Sequence, residues 1–315
     1  MQKLNLKKRA QLLSAFNCSP SSFCQRTEFV ENIIGLLQRR ELVGLKGFFN
    51  TGKTTVMYAV MRSWGSHEWK RLHSHTVDRF DTAASLQKKE AKFRGQQIAL
   101  MDECCRVYAG RNGIARKAFV DLVQRLHADG IPVLIVYPKC PGDIELEADL
   151  PDMNTVILPP ALSLEETMEA ITQPFEDTGV ELSGPTKARI IELSEGHPSI
   201  FIPICSYLIF EISDKIRNST ESIVIEADPQ LTLDEFLYGD RNTFPLALLD
   251  AHNGLSSLNL GLTTKEKALL VRLVEGADTE GYEPEIDELK KWGLIGKELE
   301  IGLVIRTFVD INNGS

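Results

Sequence analysis

The stretch from Lys46 to Val56, KGFFNTGKTTV, constrains this chain more than any other. Its Gly47, Gly52, Lys53 and Thr54 meet the pattern G-x-x-x-x-G-K-[ST] without a mismatch. The apolar run ELVGLKG precedes it and a helix-like segment from Lys53 to about Ser63 follows, so the sequence predicts strand, glycine-bounded loop and helix. In such a loop the backbone curls until successive N–H groups, from Gly47 through Phe48, Phe49, Asn50, Thr51 and Gly52 to Thr55, line a concavity. The helix that follows adds its positive N-terminal end, which together with the loop suits a phosphate. Lys53 is then expected to reach the β and γ phosphates of a nucleotide, with the Thr54 hydroxyl on Mg2+. The alternative for the same residues is a glycine turn with a capping threonine.

A phosphate loop that works with magnesium needs a carboxylate at the end of a neighbouring strand. The run IALMDE supplies one: four apolar residues deliver Asp102 to the carboxyl edge of a sheet, with Glu103 beside it. Asp102 is the expected metal partner and Glu103 the group that polarises an attacking water. The competing reading is a strand that merely ends in solvated acids.

The 315 residues are enough for two or three domains. Around the loop, strands are expected near Leu72 to Val77, at QQIALMDE, at IPVLIVY and at NTVILPP. Helices are expected near Ala83 to Phe93 and over ARKAFVDLVQRLHADG. Strands that alternate with helices, several of them uniformly apolar, predict an α/β core with a parallel sheet covered on both faces over residues 1–160. Beyond Pro160, Ser163 and Glu166 form a capping-box pattern, and three helical segments predict a small all-helical domain over 161–218. RNSTESIVIEADPQ reads as a polar connection. Helices at TLDEFLYG, TTKEKALLVRLVEG and EIDELKKWG, then the alternating LIGKELEIGLVIRTF, predict a winged helix-turn-helix within 219–315.

Composition removes several classes. With 43% apolar and 25% charged residues, and no apolar run long enough to span a bilayer, the chain reads as an ordinary soluble protein without a membrane role. The basic N-terminus lacks a long apolar core and a cleavage site, so a cytoplasmic location is expected. Six cysteines without paired zinc spacing suit a reducing compartment, and the adjacent Cys104 and Cys105 read as ordinary buried thiols. His67, His73 and His75 fit a polar strand face better than a metal cluster. A net charge of −9 and a pI near 5.3 leave nucleic-acid binding to a local patch.

These residues resemble the AAA+ and STAND ATPases, in particular the origin-recognition and archaeal ATPase branch. The likeness spans most of the chain. FCQRTEFVENIIGLL is similar to the family's F-x-G-R-x-x-E box, with Gln25 in the glycine position, and the resemblance implies that Arg26 lies near the adenine. LPPALSLEETMEAITQPF is similar to the start of the family's lid, and Gly196, His197 and Pro198 match its G-x-P motif. The resemblance places that motif near the base or phosphates; a plain helix-breaking turn is the other reading, since a proline in the first helical turn sacrifices no hydrogen bond. It also implies a lid that closes over the nucleotide and a C-terminal winged helix.

Two departures matter. At the end of the fourth strand Val136, Tyr137, Pro138 and Lys139 replace the usual polar or arginine sensor, so Lys139 either approaches the γ-phosphate or is a solvated loop residue. No arginine finger is assignable by spacing: Arg111, Arg116 and Arg125 lie on or before the helix that often faces a neighbouring subunit, where surface charge is the simpler role. The candidate recognition helix EPEIDELKKWG carries Glu283, Glu285, Asp287 and Glu288 against Lys290 and Lys291, and those acids oppose DNA phosphates, leaving Lys297 and Arg306 on the wing. The sequence therefore predicts an ATP- and Mg2+-dependent ATPase switch, slow alone, that self-associates or recruits a protein partner. A DNA-bound loader or regulator and a non-hydrolysing nucleotide module are the alternatives.

Overall fold

The computed structural model describes Leu12 and residues 26–48, 51–64, 74–76, 83–102, 104, 113–139, 146–227 and 261–313. The chain forms two compact units, one over 25–158 and one that joins 1–24 to 159–315.

The first unit is a parallel α/β layer structure. Its strands are β1 (Leu42–Gly47), β2 (Ser74–Thr76), β3 (Ala99–Asp102), β4 (Val133–Pro138) and β5 (Asn154–Leu158), in spatial order β2-β3-β4-β1-β5. Every pairing is parallel, with Leu45 opposite Val136 on one side and Val156 on the other. Between the strands run α1 (Thr27–Gln38) before β1, α2 (Lys53–Trp64), α3 (Ala83–Arg94), α4 (Gly113–Ala128) and the single turn α5 (Leu146–Asp149).

The alternation of side chains explains why both faces must be covered. Val43 and Leu45 of β1, Leu100 of β3 and Leu134 and Val136 of β4 pack with Val30, Ile33 and Leu37 of α1 and Val56, Met57 and Val60 of α2. The intervening residues, Ala99, Met101, Val133, Ile135 and Tyr137, meet Leu86 and Phe93 of α3 and Phe119, Leu122, Val123 and Leu126 of α4. A strand buried on both sides has no polar face to display, hence the unbroken VLIVYP of β4. Truncating one of these buried leucines costs about 2–5 kcal/mol.

Topology locates the functional edge. The connection from β1 crosses to the β2 side of the sheet, whereas that from β4 passes over β1 to β5. Neighbouring strands whose connections run in opposite directions leave a crevice outside their carboxyl ends, where ligands of open α/β sheets bind.

In the second unit, Ser163 caps α6 (Leu164–Thr172) through a reciprocal capping box with Glu166. A 3-10 turn, Gln173–Phe175, leads to β6 (Val180–Leu182), α7 (Gly184–Ser194), α8 (Pro198–Glu211), α9 (Ser213–Asn218) and β7 (Ile223–Ile225). The expected all-helical segment is thus corrected: β6 pairs in parallel with β7, which lies in the stretch read as a polar connection. Three-residue strands are too short to show a period, and this pair is fixed by tertiary bonds instead. The Ser183 amide donates to the Ile225 carbonyl at 3.0 Å, and the Thr186 hydroxyl both donates to that carbonyl and accepts from the Ala227 amide.

Residues 261–313 form α10 (Thr264–Glu275), α11 (Glu283–Lys291) and α12 (Leu303–Asn313). Thr263 and Glu266 make a second capping box at α10. Trp292, 1% exposed, donates its indole N–H to Glu288. The terminal hairpin of a winged helix is absent among the described residues, and the sequence expectation is corrected on two points. Gly296 to Glu300 is a turn, with the Gly296 amide on the Glu300 carbonyl and Leu299 in the left-handed region at φ 65°. LVIRTFVDINN is a helix, because its buried Val304, Ile305, Phe308 and Val309 recur with helical spacing once the alternation before them ends. The segment TLDEFLYG lies outside the described residues.

Candidate functional site

The site is assembled at the carboxyl ends of β1, β3 and β4. Gly47 is the last residue of β1, opposite Pro138 of β4 and Leu158 of β5. A Cβ at Gly47 would sit 3.0 Å from the Thr51 Oγ1 and 3.2 Å from the Leu158 carbonyl oxygen, so a side chain there would have to push these atoms aside. Gly52 has φ +87°, a conformation that glycine adopts without steric cost. Between them, the Thr51 hydroxyl donates to the Phe48 carbonyl at 2.8 Å and closes the loop internally. Both Phe48 (0% exposed) and Thr51 (4%) are buried, so the loop is pinned at its root and at its turn. Phe49, Asn50 and Glu103 lie outside the described residues.

Three side chains converge on this loop. The Thr54 hydroxyl, in the first turn of α2, donates to Asp102 Oδ2 at the end of β3, at 3.0 Å. The Lys53 ammonium donates to the Phe48 carbonyl and so lies folded against the loop. Lys139, the residue after β4, ties its amide to the Gly47 carbonyl at 2.8 Å and sets its ammonium 5.4 Å from the centre of the Phe48 ring. The reading of Lys139 as a solvated loop residue is corrected by its exposure of 7%. The Phe48 ring shields it from water; residue type alone gave no sign of that.

The Thr54 hydroxyl and the Asp102 carboxylate, held side by side, are the hard oxygen donors that Mg2+ takes in nucleotide sites, where it keeps several waters and one or two protein ligands. The cradle that a Cβ would fill at Gly47 and the Thr54–Asp102 pair fit nucleotide and metal together. ATP and Mg2+ would be held by Lys53, Thr54 and Asp102, with the loop backbone and Thr55 around them.

The remaining expected residues are spread over both units. Arg26 is 3% exposed, has left-handed backbone (φ 41°), precedes α1 and lies with its guanidinium 5.9 Å from the Phe29 ring. His197, 6% exposed, and Pro198 begin α8 in the other unit, with Pro198 in the first turn as its ring geometry requires. Of the three arginines considered as fingers, Arg111 lies outside the described residues. Arg116 is engaged bidentately by Asp149 of α5 at 2.6 and 2.8 Å, and Arg125 pairs with Glu90 of α3 at 2.7 Å. The side-chain bond of Arg125, opposed by burial and reinforced by the bond of Arg94, holds the Glu90 carboxyl below its usual range. Both described arginines therefore bind their own chain.

Beside the loop strand is a polar cluster that sequence reasoning missed. Lys46 of β1 pairs with Glu147 of α5 at 2.8 Å, and the Tyr137 hydroxyl donates to the same carboxylate oxygen at 2.9 Å. Burial alone would raise the Glu147 carboxyl, but the Lys46 ammonium, a bond from the residue's own backbone amide and the Tyr137 hydroxyl together outweigh it and hold it below the ordinary carboxylate range. These residues are 101 and 10 positions apart from Glu147, so no local spacing announces the cluster.

No family model matches the chain, and comparison with curated proteins gives no match. Among solved structures, the chain is similar to the Thermotoga maritima RuvB Holliday junction branch migration motor, with 16% identity and a TM-score of 0.46 over 85% of this chain and 88% of that one. It is similar to AMPPCP-bound DnaA from Aquifex aeolicus at 11% identity and a TM-score of 0.44, over 90% and 92% of the two chains. A third likeness is to Drosophila ORC bound to DNA, at 14% identity and 0.45, over 98% of this chain and 77% of that one. Likenesses this distant carry no functional argument, and the reading of the site rests on its own geometry. Among the described residues, no helix is long and apolar enough to cross a membrane.

Proposed function

We propose that the chain is an ATP-binding, Mg2+-dependent P-loop ATPase of the AAA+/STAND kind, a switch that self-associates or recruits a protein partner according to nucleotide state. One observation carries this reading: the Thr54 hydroxyl, at the start of the helix after a glycine-bounded loop, meets the strand-end carboxylate of Asp102 at 3.0 Å. Residues 48 apart in sequence are brought together in the arrangement that a metal-assisted phosphate site requires.

Each residue has a task within that reading. Lys53 leaves the Phe48 carbonyl and places its ammonium on the terminal phosphates. Asp102 orients the Thr54 hydroxyl and, with it, holds the metal, whose charge would offset that of the phosphates. Glu103, next to Asp102, accepts a proton from the attacking water. Arg26 borders the base, and His197 and Pro198 belong to the lid. With Arg116 and Arg125 occupied within the chain, turnover of the isolated protein is slow.

The test is Glu103→Gln in the full chain. It is expected to bind ATP as the parent does and to release phosphate at least about a hundredfold more slowly, the scale of a lost general base. Phosphate release at the parental rate would remove the catalytic assignment while leaving nucleotide binding to be judged by itself.

A further inference from the structure

The turn between α7 and α8 makes a bond that no property of a phosphate site explains. Glu195, at the carboxyl end of α7, has left-handed backbone with φ 47° and ψ 32°. That conformation carries its carboxylate across the unit to the start of α12. There Oε1 accepts the Leu303 amide at 2.6 Å and Oε2 accepts the Val304 amide at 2.8 Å. The first N–H groups of a helix have no partner within it, and an anion at that end also meets the positive pole of the helix. Residue 302 completes the fit, since a Cβ on Gly302 would come within 2.4 Å of Glu195 Oε2.

The other side of the same turn is equally confined. Gly196 has φ +79°, and a Cβ on it would stand 2.4 Å from the Leu162 carbonyl oxygen and 3.0 Å from the Thr167 Oγ1 of α6. Its carbonyl accepts the Leu162 amide at 2.8 Å, while His197, next in the chain, donates its amide to Ser194 and accepts from Ile200 and Phe201 of α8. Three consecutive residues thus touch the start of α6, both α7 and α8, and, 108 positions away, the start of α12. A non-glycine residue held in a left-handed conformation carries a steric cost, which its surroundings must offset. Here the offsetting contacts are the two hydrogen bonds from the start of α12.

We propose that Glu195 is a carboxylate latch, by which the conformation of the Glu195–Gly196–His197 turn is transmitted to α12 and hence to the α10–α12 helices. With the turn as described, the carboxylate caps α12; when the turn relaxes, the carboxylate leaves and the first turn of α12 opens. The inference goes beyond the nucleotide reading and does not depend on it.

Coupling of this kind is reciprocal, so it can be tested from both ends. The measurement is hydrogen exchange of the full chain, which reports local opening amide by amide. Glu195→Gln is expected to speed exchange at Leu303 and Val304 by roughly three- to thirtyfold, the range of a lost helix cap. Gly196→Ala disturbs the turn without altering any latch atom and is expected to speed exchange at the same two amides. Gly302→Ala displaces the carboxylate from the α12 side and is expected to speed exchange at Leu162 and His197. Because a glycine variant can fail to fold, far-ultraviolet circular dichroism accompanies each, and Glu195→Gln, which adds no bulk, carries the test alone if needed. Unchanged exchange at 303 and 304 in Glu195→Gln would overturn the latch. A Glu195→Gln effect with parental exchange in both glycine variants would overturn the transmission, leaving only a local cap.

Discussion

Replacing Thr54 by valine keeps the volume and the β-branched shape of the side chain and removes only the hydroxyl that meets Asp102. A hydrogen bond to a charged acceptor contributes about 1.5–3 kcal/mol. Thr54 is only partly buried, so solvent replaces some of that, and the lower end, about 1.5 kcal/mol, is the expected loss of stability. For a unit of this size it corresponds to a fall in melting temperature of roughly 3–6 °C. The functional effect is separable. If Thr54 and Asp102 hold Mg2+ together, Thr54→Val weakens nucleotide binding by about tenfold or more in the presence of magnesium, comparable to losing a group that positions a metal, and has little effect when EDTA is present. The assay is equilibrium titration with a fluorescent ATP analogue, with Mg2+ and with EDTA, on parent and variant at a temperature where both are folded. An identical ratio of affinities in Mg2+ and EDTA for the two proteins would refute the metal role, whatever happened to stability.

Other consequences follow from neighbouring contacts. Gly47→Ala places a methyl group against the Leu158 carbonyl and Thr51, so a stability loss of about 1–3 kcal/mol is expected in urea unfolding, together with weaker nucleotide binding because the cradle is displaced. The Glu147 carboxyl is held below the ordinary carboxylate range, so its contribution to stability is present above that range and is lost as pH falls through the lower folded value. Glu147→Gln is therefore expected to flatten the fall in urea midpoint on acidification from about pH 5 downward, and an unaltered pH profile would contradict the assignment. Trp292→Ala, which removes the largest fully buried side chain among the described residues, is expected to cost about 3–5 kcal/mol and to leave nucleotide titration of the loop unchanged.

The parallel core was legible because β1 and β4 must be apolar on both faces, which leaves runs such as VLIVYP that no half-exposed strand would carry. The Thr54–Asp102 pair was legible for a chemical reason: a loop that holds phosphate with magnesium calls for a strand-end acid, and IALMD offers one. The capping box at Ser163 was readable from residues three apart. What escaped was set by distance in sequence. The β6–β7 pair, the Lys46–Glu147–Tyr137 cluster and the Glu195 cap on α12 all join segments whose own composition says nothing about the partner. The misread carboxyl terminus has a different cause. KELEIGLVI alternates like a strand for several residues, and only the later spacing of Phe308 and Val309 shows that the burial period is helical.

Binding of nucleotide phosphates by the loop from Gly47 to Thr54 is read out by calorimetric titration of the full chain and of Lys53→Ala with ATP and Mg2+. One saturable site is expected in the parent and a loss of at least about thirtyfold in affinity in Lys53→Ala, close to 2 kcal/mol for one charge-assisted phosphate contact. Equal affinities in the two proteins, or no binding by the folded parent, would contradict it.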